Sequence, residues 1–122
     1  MNAYRITALT LALFASTLMG GCASIGGSTP SPRQFDAPMA RVKPAFVSTL
    51  ASMGMMISSL EARGGHEIIK ARKAGSEVEV DLEPVGRTAT RARVAARSGG
   101  LLYDEAAAAR IIRQAERILG GR

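Results

Sequence analysis

One short segment, residues 77–83, constrains the fold of this chain more than any other. Acidic and apolar residues alternate along it without a break, and its apolar members are Val78, Val80 and Leu82. Successive side chains of a β-strand point to opposite faces of the sheet, so this alternation predicts a strand with one buried and one exposed face. Such strands are typical of antiparallel sheets, because parallel sheets are covered on both faces. We therefore predict an antiparallel sheet with acidic side chains on its exposed face.

Three neighbouring segments complete the predicted sheet. Residues 55–62, 67–73 and 88–97 have the length of strands and are bounded by short stretches that contain glycine. In the last of them, alanine and valine alternate with arginine, which again indicates one buried and one exposed face. Consecutive strands joined by short turns usually pair with each other. The sequence therefore predicts a four-stranded antiparallel meander.

Side-chain parity predicts the register of the two later hairpins, because directly opposite residues must point to the same face. A two-residue turn at 74–75 places Ala71 opposite Val78, both inward. The next hairpin needs a three-residue loop, predicted at 85–87, which places Asp81 opposite Arg91. The same register places Glu79 opposite Arg93. An acidic strand is thus predicted between two basic strands on the outer side of the sheet.

Two amphipathic helices are predicted on either side of the strands, at 39–53 and 104–119. Asp36 is the predicted N-cap of the first helix. Pro44 either kinks this helix or marks its true beginning, because proline removes a hydrogen bond from a helix interior. The apolar stripe of the second helix consists of Ala108, Ile111, Ile112, Ala115, Ile118 and Leu119. The predicted fold is α+β, in the order α-β-β-β-β-α, with both helices on one face of the sheet. Phe35 is a candidate for a short extra strand.

The first 22 residues have the order of a secretory signal. Arg5 precedes an apolar run, and the run ends in Leu18-Met19-Gly20-Gly21-Cys22. This pentad resembles a bacterial lipobox, in which a peptidase cuts before a cysteine that carries diacylglycerol. The resemblance implies lipid attachment at Cys22. An unlipidated secreted form and an uncleaved anchor remain the alternatives.

Cleavage before Cys22 divides the chain into three parts. Residues 1–21 are a lipoprotein signal peptide, 22–33 are the lipidated cysteine and a flexible tether rich in Gly, Ser and Pro, and 34–120 are a single small α+β domain. Cys22 is the only cysteine, so the domain is expected to fold without an internal disulfide and to depend on its packed core.

A resemblance that extends beyond the lipobox indicates that the protein is located in the bacterial cell envelope. The lipobox, Ile69-Lys70-Ala71-Arg72, Leu82-Glu83-Pro84 and a final helix that opens with Asp104-Glu105 are together similar to a family of short bacterial lipoproteins of unknown function. The likeness covers residues 35–119 and implies a small α+β fold, without catalytic residues to transfer. Ala23 stands where, in similar lipoproteins, aspartate favours the inner membrane. We therefore expect an outer-membrane protein whose domain faces the periplasm.

Chemistry-bearing residues are sparse. His66 is the single histidine and lies beside a Gly-Gly turn, and the acidic residues are surrounded by cations, which would lower rather than raise their pKa values. We expect neither enzymatic activity nor a cofactor. Met53, Met55 and Met56 could bind copper(I) as thioethers, but methionines at the junction of a helix and a strand are more typical of core packing. A copper-handling protein is thus the weakest alternative.

Four arginines, Arg87, Arg91, Arg93 and Arg97, have two interpretations. They pair with the acidic strand and protect an edge strand from other chains, or they bind anionic lipid or lipopolysaccharide. Arg87 and Arg97 are unpaired in the predicted register. The formal net charge of +6 attracts anionic surfaces, but the chain offers no set of aromatic residues on which nucleic-acid bases could stack. The preferred hypothesis is a lipid-anchored, non-catalytic envelope protein that binds another envelope protein.

Overall fold

The alternating segment forms the middle of an antiparallel sheet. A computed structural model describes residues 31–99 and 102–120, so the signal peptide, Cys22 and most of the tether lie outside the described residues. The elements are β1 (Arg33–Phe35), α1 (Met39–Ser52), β2 (Met56–Arg63), β3 (His66–Lys73), β4 (Ser76–Val85), β5 (Ala89–Ser98), β6 (Leu102–Tyr103) and α2 (Glu105–Leu119).

The α+β class and the meander of β2 to β5 are confirmed, but the predicted number of four strands is too small. Five strands lie in the order β1-β5-β4-β3-β2, and the two-residue strand β6 pairs with the end of β5. The extra strand at Phe35 is present as β1. Strands of two or three residues are too short to show alternation, which is why the sequence pattern could not count them.

The predicted register is right for one hairpin and wrong for the next. Ala71 lies opposite Val78, as predicted. Asp81, however, lies opposite Arg93 rather than Arg91, because the three-residue loop is 86–88 and not 85–87. Gly86 has a φ of +73°, so the turn begins at a glycine that adopts the left-handed region without strain. Shifting the pairing by two residues preserves the faces of all side chains, so parity could not distinguish the two registers.

The core lies between the helices and the inner face of the sheet. Phe46 and Leu50 of α1 and Ile111 of α2 pack in one cluster with the apolar side chains of β4 and β5, and all are fully or almost fully buried. Phe35 contacts Phe46 edge to face, with ring centroids 5.5 Å apart. Burying each large apolar side chain stabilises the fold by roughly 1.5–3 kcal/mol, so this cluster is the main favourable contribution.

Helix α1 begins at Met39, and Pro44 lies inside it. The N-cap is Pro38 rather than the predicted Asp36, because the carbonyl of Pro38 accepts the N–H groups of Arg41 and Val42. Pro44 is exposed and removes only the helical bond to the carbonyl of Ala40, which is also exposed. Water can replace that bond, so the helix continues through the proline.

Helix α2 is capped by Asp104, whose carboxylate accepts the N–H of Ala107 at 2.9 Å. Ile111 and Ala115 are the buried residues of this helix. Ile118 was predicted in the apolar stripe but is 40% exposed, because it lies at the border of that stripe near the end of the helix. Within residues 31–99 and 102–120, no helix is both long and apolar enough to cross a membrane.

Candidate binding surface

The side of the sheet that faces away from the helices is covered by no other element of the described chain. We call this side the outer face. Alternation along each strand places charged residues there. Its charged members on β3, β4 and β5 are Lys70, Arg72, Glu77, Glu79, Asp81, Glu83, Arg91, Arg93 and Arg97.

The charges of the outer face are ordered by strand. The four acidic residues of β4 lie between two cations of β3 and three arginines of β5. Arg91 contacts Glu83 at 3.4 Å, and Arg72 approaches Glu77 at 3.9 Å. Such partly exposed pairs each contribute about 0–1 kcal/mol. The order of the charges therefore contributes little to stability.

Asp81 has a different partner from the one its register suggests. Nδ1 of His66 lies 2.6 Å from Oδ1 of Asp81, although Arg93 is the residue directly opposite Asp81 on β5. His66 is thus the first residue of β3 and has a carboxylate partner, whereas the sequence suggested a solvated turn residue. Within the described residues, Arg93 has no ion pair.

An acidic group at the β2 edge is held in its charged form. The hydroxyl of Ser59 donates to the carboxylate of Glu61 at 3.0 Å, and Arg63 contacts the same carboxylate at 2.8 Å. The pKa of Glu61 is lowered mainly by the Ser59 hydrogen bond and then by the positive charge of Lys70. Glu61 therefore stays ionised and adds a fixed negative charge to the edge of the outer face.

The outer face is not uniformly polar. Ile68 of β3 points to this side yet is only 8% exposed. Near the β3–β4 turn lies a cavity of about 410 Å³, and its polar lining includes Lys70, Arg72, Glu77 and Arg97. Cations and carboxylates both line this cavity, which suits a zwitterionic or peptide-like group better than a simple anion.

Tyr103 orders one end of this cavity. The guanidinium of Arg97 lies 5.1 Å from the ring centroid of Tyr103 and donates to its hydroxyl at 3.1 Å. The aromatic ring and the hydrogen bond together fix an otherwise flexible side chain. The sequence did not indicate Tyr103, because the pairing of β6 with β5 brings it beside Arg97.

The four predicted arginines do not form one cationic patch. Arg87 lies in the β4–β5 turn, Arg91 contacts Glu83, Arg93 has no ion pair in the described chain, and Arg97 contacts Tyr103. Arg97 is also opposite Glu77, so its predicted isolation from acids is wrong.

The idea that these arginines protect an edge needs correction, because β5 is flanked by β1 and β6. The long exposed edge is β2. A β-bulge between Ile57 and Ser59 interrupts the pairing of β2 with β3, and bulges of this kind hinder further strand pairing. The bulge in β2, rather than the arginines of β5, is thus the feature that protects this edge.

The three methionines do not converge. Met53 and Met55 pack against the core, whereas Met56 is 76% exposed on the other side of the sheet. The described residues also contain no group of three or more His, Cys, Asp or Glu side chains that could hold a metal ion.

A comparison with models of known protein families finds no match for this chain, and a comparison with curated protein sequences finds none either. The resemblance to the lipoprotein family therefore remains a prediction from the motifs quoted above.

Proposed function

We propose that the protein is a lipid-anchored, non-catalytic envelope domain that binds another envelope protein through the outer face. The observation that carries this proposal is the broad sheet surface that the two helices leave uncovered, with an acidic strand between two basic ones. Charge patterns of this kind guide the orientation of a protein partner and exclude mismatched ones. The lipobox supports anchoring at Cys22, in the outer membrane with the domain in the periplasm.

The arrangement favours a protein partner over lipid at this surface. Charges of both signs alternate from strand to strand across it, so an anionic membrane would meet the carboxylates of β4 together with the arginines of β5. Repulsion from the carboxylates would offset much of the attraction that each basic residue supplies. A protein surface with the reverse pattern of charges can pair with both signs.

Photo-crosslinking in cells tests the partner. A photoreactive benzoylphenylalanine replaces Ala95 on the outer face or, as the matched control, Ser48 on the exposed side of α1. We expect one discrete crosslinked protein from position 95 and none from position 48. Adding Glu79→Arg should lower the yield of the crosslinked product, because it reverses one charge in the row of carboxylates on β4. Equal crosslinking from both positions would contradict binding through the outer face.

Metabolic labelling tests the anchor separately. A clickable fatty acid should label the parent chain and not Cys22→Ser, because the thiol is the proposed attachment point. Equal label on both chains would contradict the lipobox interpretation. Density-gradient fractionation then shows whether the labelled chain is recovered with outer-membrane markers, as proposed.

A further inference from the structure

A second charged surface lies on the opposite side of the domain. Arg110, Arg113 and Arg117 are all exposed on α2, and their spacing of three and four residues places them on one side of the helix. We call this side the arginine face. The buried residues Ile111 and Ala115 lie on the other side of the same helix. The arginine face therefore points directly away from the core.

The arginine face carries basic side chains alone, whereas the outer face carries charges of both signs. None of its three arginines has an ion pair with a described residue; Arg117 donates only to the neutral amide oxygen of Gln114. Glu116 follows Arg113 by three residues, but its carboxylate pairs with Arg33 at 2.7 Å. Arg41 adds a further positive charge nearby, because it donates to the carbonyl of Leu119 at 3.3 Å. The positive charge of these three arginines is thus not neutralised by an ion pair with any described carboxylate.

The tether enters the domain beside this surface. Arg33 is the first residue of β1, and its ion pair with Glu116 places the entry point against the C-terminal half of α2. From Cys22 to Arg33 the chain spans at most about 40 Å when fully extended. A flexible chain of that length has a root-mean-square span of about 18 Å. An anchor at Cys22 would therefore hold α2 close to the membrane.

We propose that the arginine face lies against the phosphate groups of anionic phospholipids in the membrane that anchors the chain. The proposal rests on the anchoring at Cys22 put forward above. Guanidinium groups bind phosphate through paired, charge-assisted hydrogen bonds, and basic residues near an anionic leaflet are attracted to it. Because α2 and the outer face lie on opposite sides of the sheet, this contact turns the outer face toward the periplasm, where a protein partner can reach it.

The test measures which side of the domain approaches the lipid. The purified mature lipoprotein is reconstituted into vesicles of phosphatidylcholine alone or of an equimolar mixture with phosphatidylglycerol, both containing a lipid with a nitroxide on its head group. A single fluorescent label is attached at Ala106→Cys, on the arginine face, or at Met56→Cys, on the outer face. Cys22 is the only native cysteine and is occupied by lipid, so each introduced thiol is labelled alone.

We expect quenching in the anionic vesicles to be several-fold stronger at position 106 than at position 56. High salt, the zwitterionic vesicles and the triple variant Arg110→Gln, Arg113→Gln and Arg117→Gln should each remove most of this difference. A matched control removes three exposed cations elsewhere, by Arg63→Gln, Lys73→Gln and Arg87→Gln, and should preserve it. Circular dichroism checks that both triple variants are folded. We expect α2 to persist in the first of them, because glutamine and arginine have similar helix propensities.

Equal quenching at the two positions in anionic vesicles would overturn the proposal, as would an equal effect of the two triple variants. Mass spectrometry of the purified chain distinguishes a wrong proposal about the membrane contact from a wrong proposal about lipid attachment at Cys22. A chain without acyl mass on Cys22 contradicts the anchoring and the membrane contact together. A chain with acyl mass and no preference between the labels contradicts only the contact of the arginine face.

Discussion

The two fully buried threonines of the core make the same kind of hydrogen bond but should differ in what that bond contributes to stability. Thr90 on β5 donates its hydroxyl to the carbonyl of Ala37 at 2.8 Å, and Thr49 on α1 donates to the carbonyl of Ala45, also at 2.8 Å. The carbonyl of Ala45 also accepts the N–H of Thr49, as every i to i−4 pair of a helix does. Within the described residues, no backbone N–H donates to the carbonyl of Ala37.

We therefore expect Thr90→Val to be much more costly than Thr49→Val. Valine has nearly the shape of threonine, so neither change opens a cavity. Thr90→Val leaves the buried carbonyl of Ala37 without a donor, which costs about 1–3 kcal/mol. Thr49→Val leaves the carbonyl of Ala45 with its helical donor, so the loss is about 0.5 kcal/mol or less once the added buried methyl group is counted.

Urea denaturation of the two variants and the parent measures this difference. In a domain of this size, each kcal/mol lost also lowers the melting temperature by roughly 4–8 °C, which thermal unfolding can check. The slope of the urea transition should be unchanged, because neither variant alters the surface exposed on unfolding. Equal losses for the two variants would refute the argument that an unpaired carbonyl makes the difference.

Three further predictions follow from the sheet. Val80→Ala removes fully buried methyl groups at the centre of β4 and should lower the free energy of unfolding by about 1–3 kcal/mol in urea titration, and a neutral result would refute its place in the core. Glu79→Arg puts a like charge opposite Lys70 and should cost about 1 kcal/mol or less, with a loss that shrinks in high salt. Ser59→Ala should raise the pKa of Glu61 toward its ordinary value in an NMR titration, because the hydroxyl is the main cause of the lowered pKa. A carboxylate with a lowered pKa stabilises the folded state above the ordinary pKa of glutamate. The stability that Glu61 adds should therefore be lost as pH falls through its folded pKa. In Ser59→Ala the decrease in stability over this pH range should be smaller than in the parent.

The parts of the fold that the sequence predicts are those in which local pattern and pairing agree. The alternation of Val78 with its acidic neighbours and the two-residue turn before it determine both the faces and the register of β3 and β4. The β4–β5 register was shifted by two residues, because the same faces result from either loop position. The positive φ of Gly86 decides between them, and a sequence does not show a backbone angle.

The candidate sites were predictable only in part. The contact of His66 with Asp81 was missed because the predicted strand began at Glu67, one residue too late. The spacing of the arginines on α2 can be read from the sequence, but their position beside the tether depends on β1. The sequence suggested a strand at Phe35 but not its partner, because β1 is only three residues long and pairs with residues about 57 positions later.

The pairing of β1 with β5 has a consequence for the order in which the chain folds. β2 to β5 are joined by turns of two or three residues, so their hairpins close small loops and can form within about 1–10 μs. The pairing of residues 33–35 with 90–92, and the packing of α1 on α2, join segments far apart in the chain and carry a larger loss of chain entropy. We therefore expect the meander to be the folding nucleus and the two chain ends to dock late. Tension on the tether would then act first on β1, the last strand to join, and leave the sheet behind it intact.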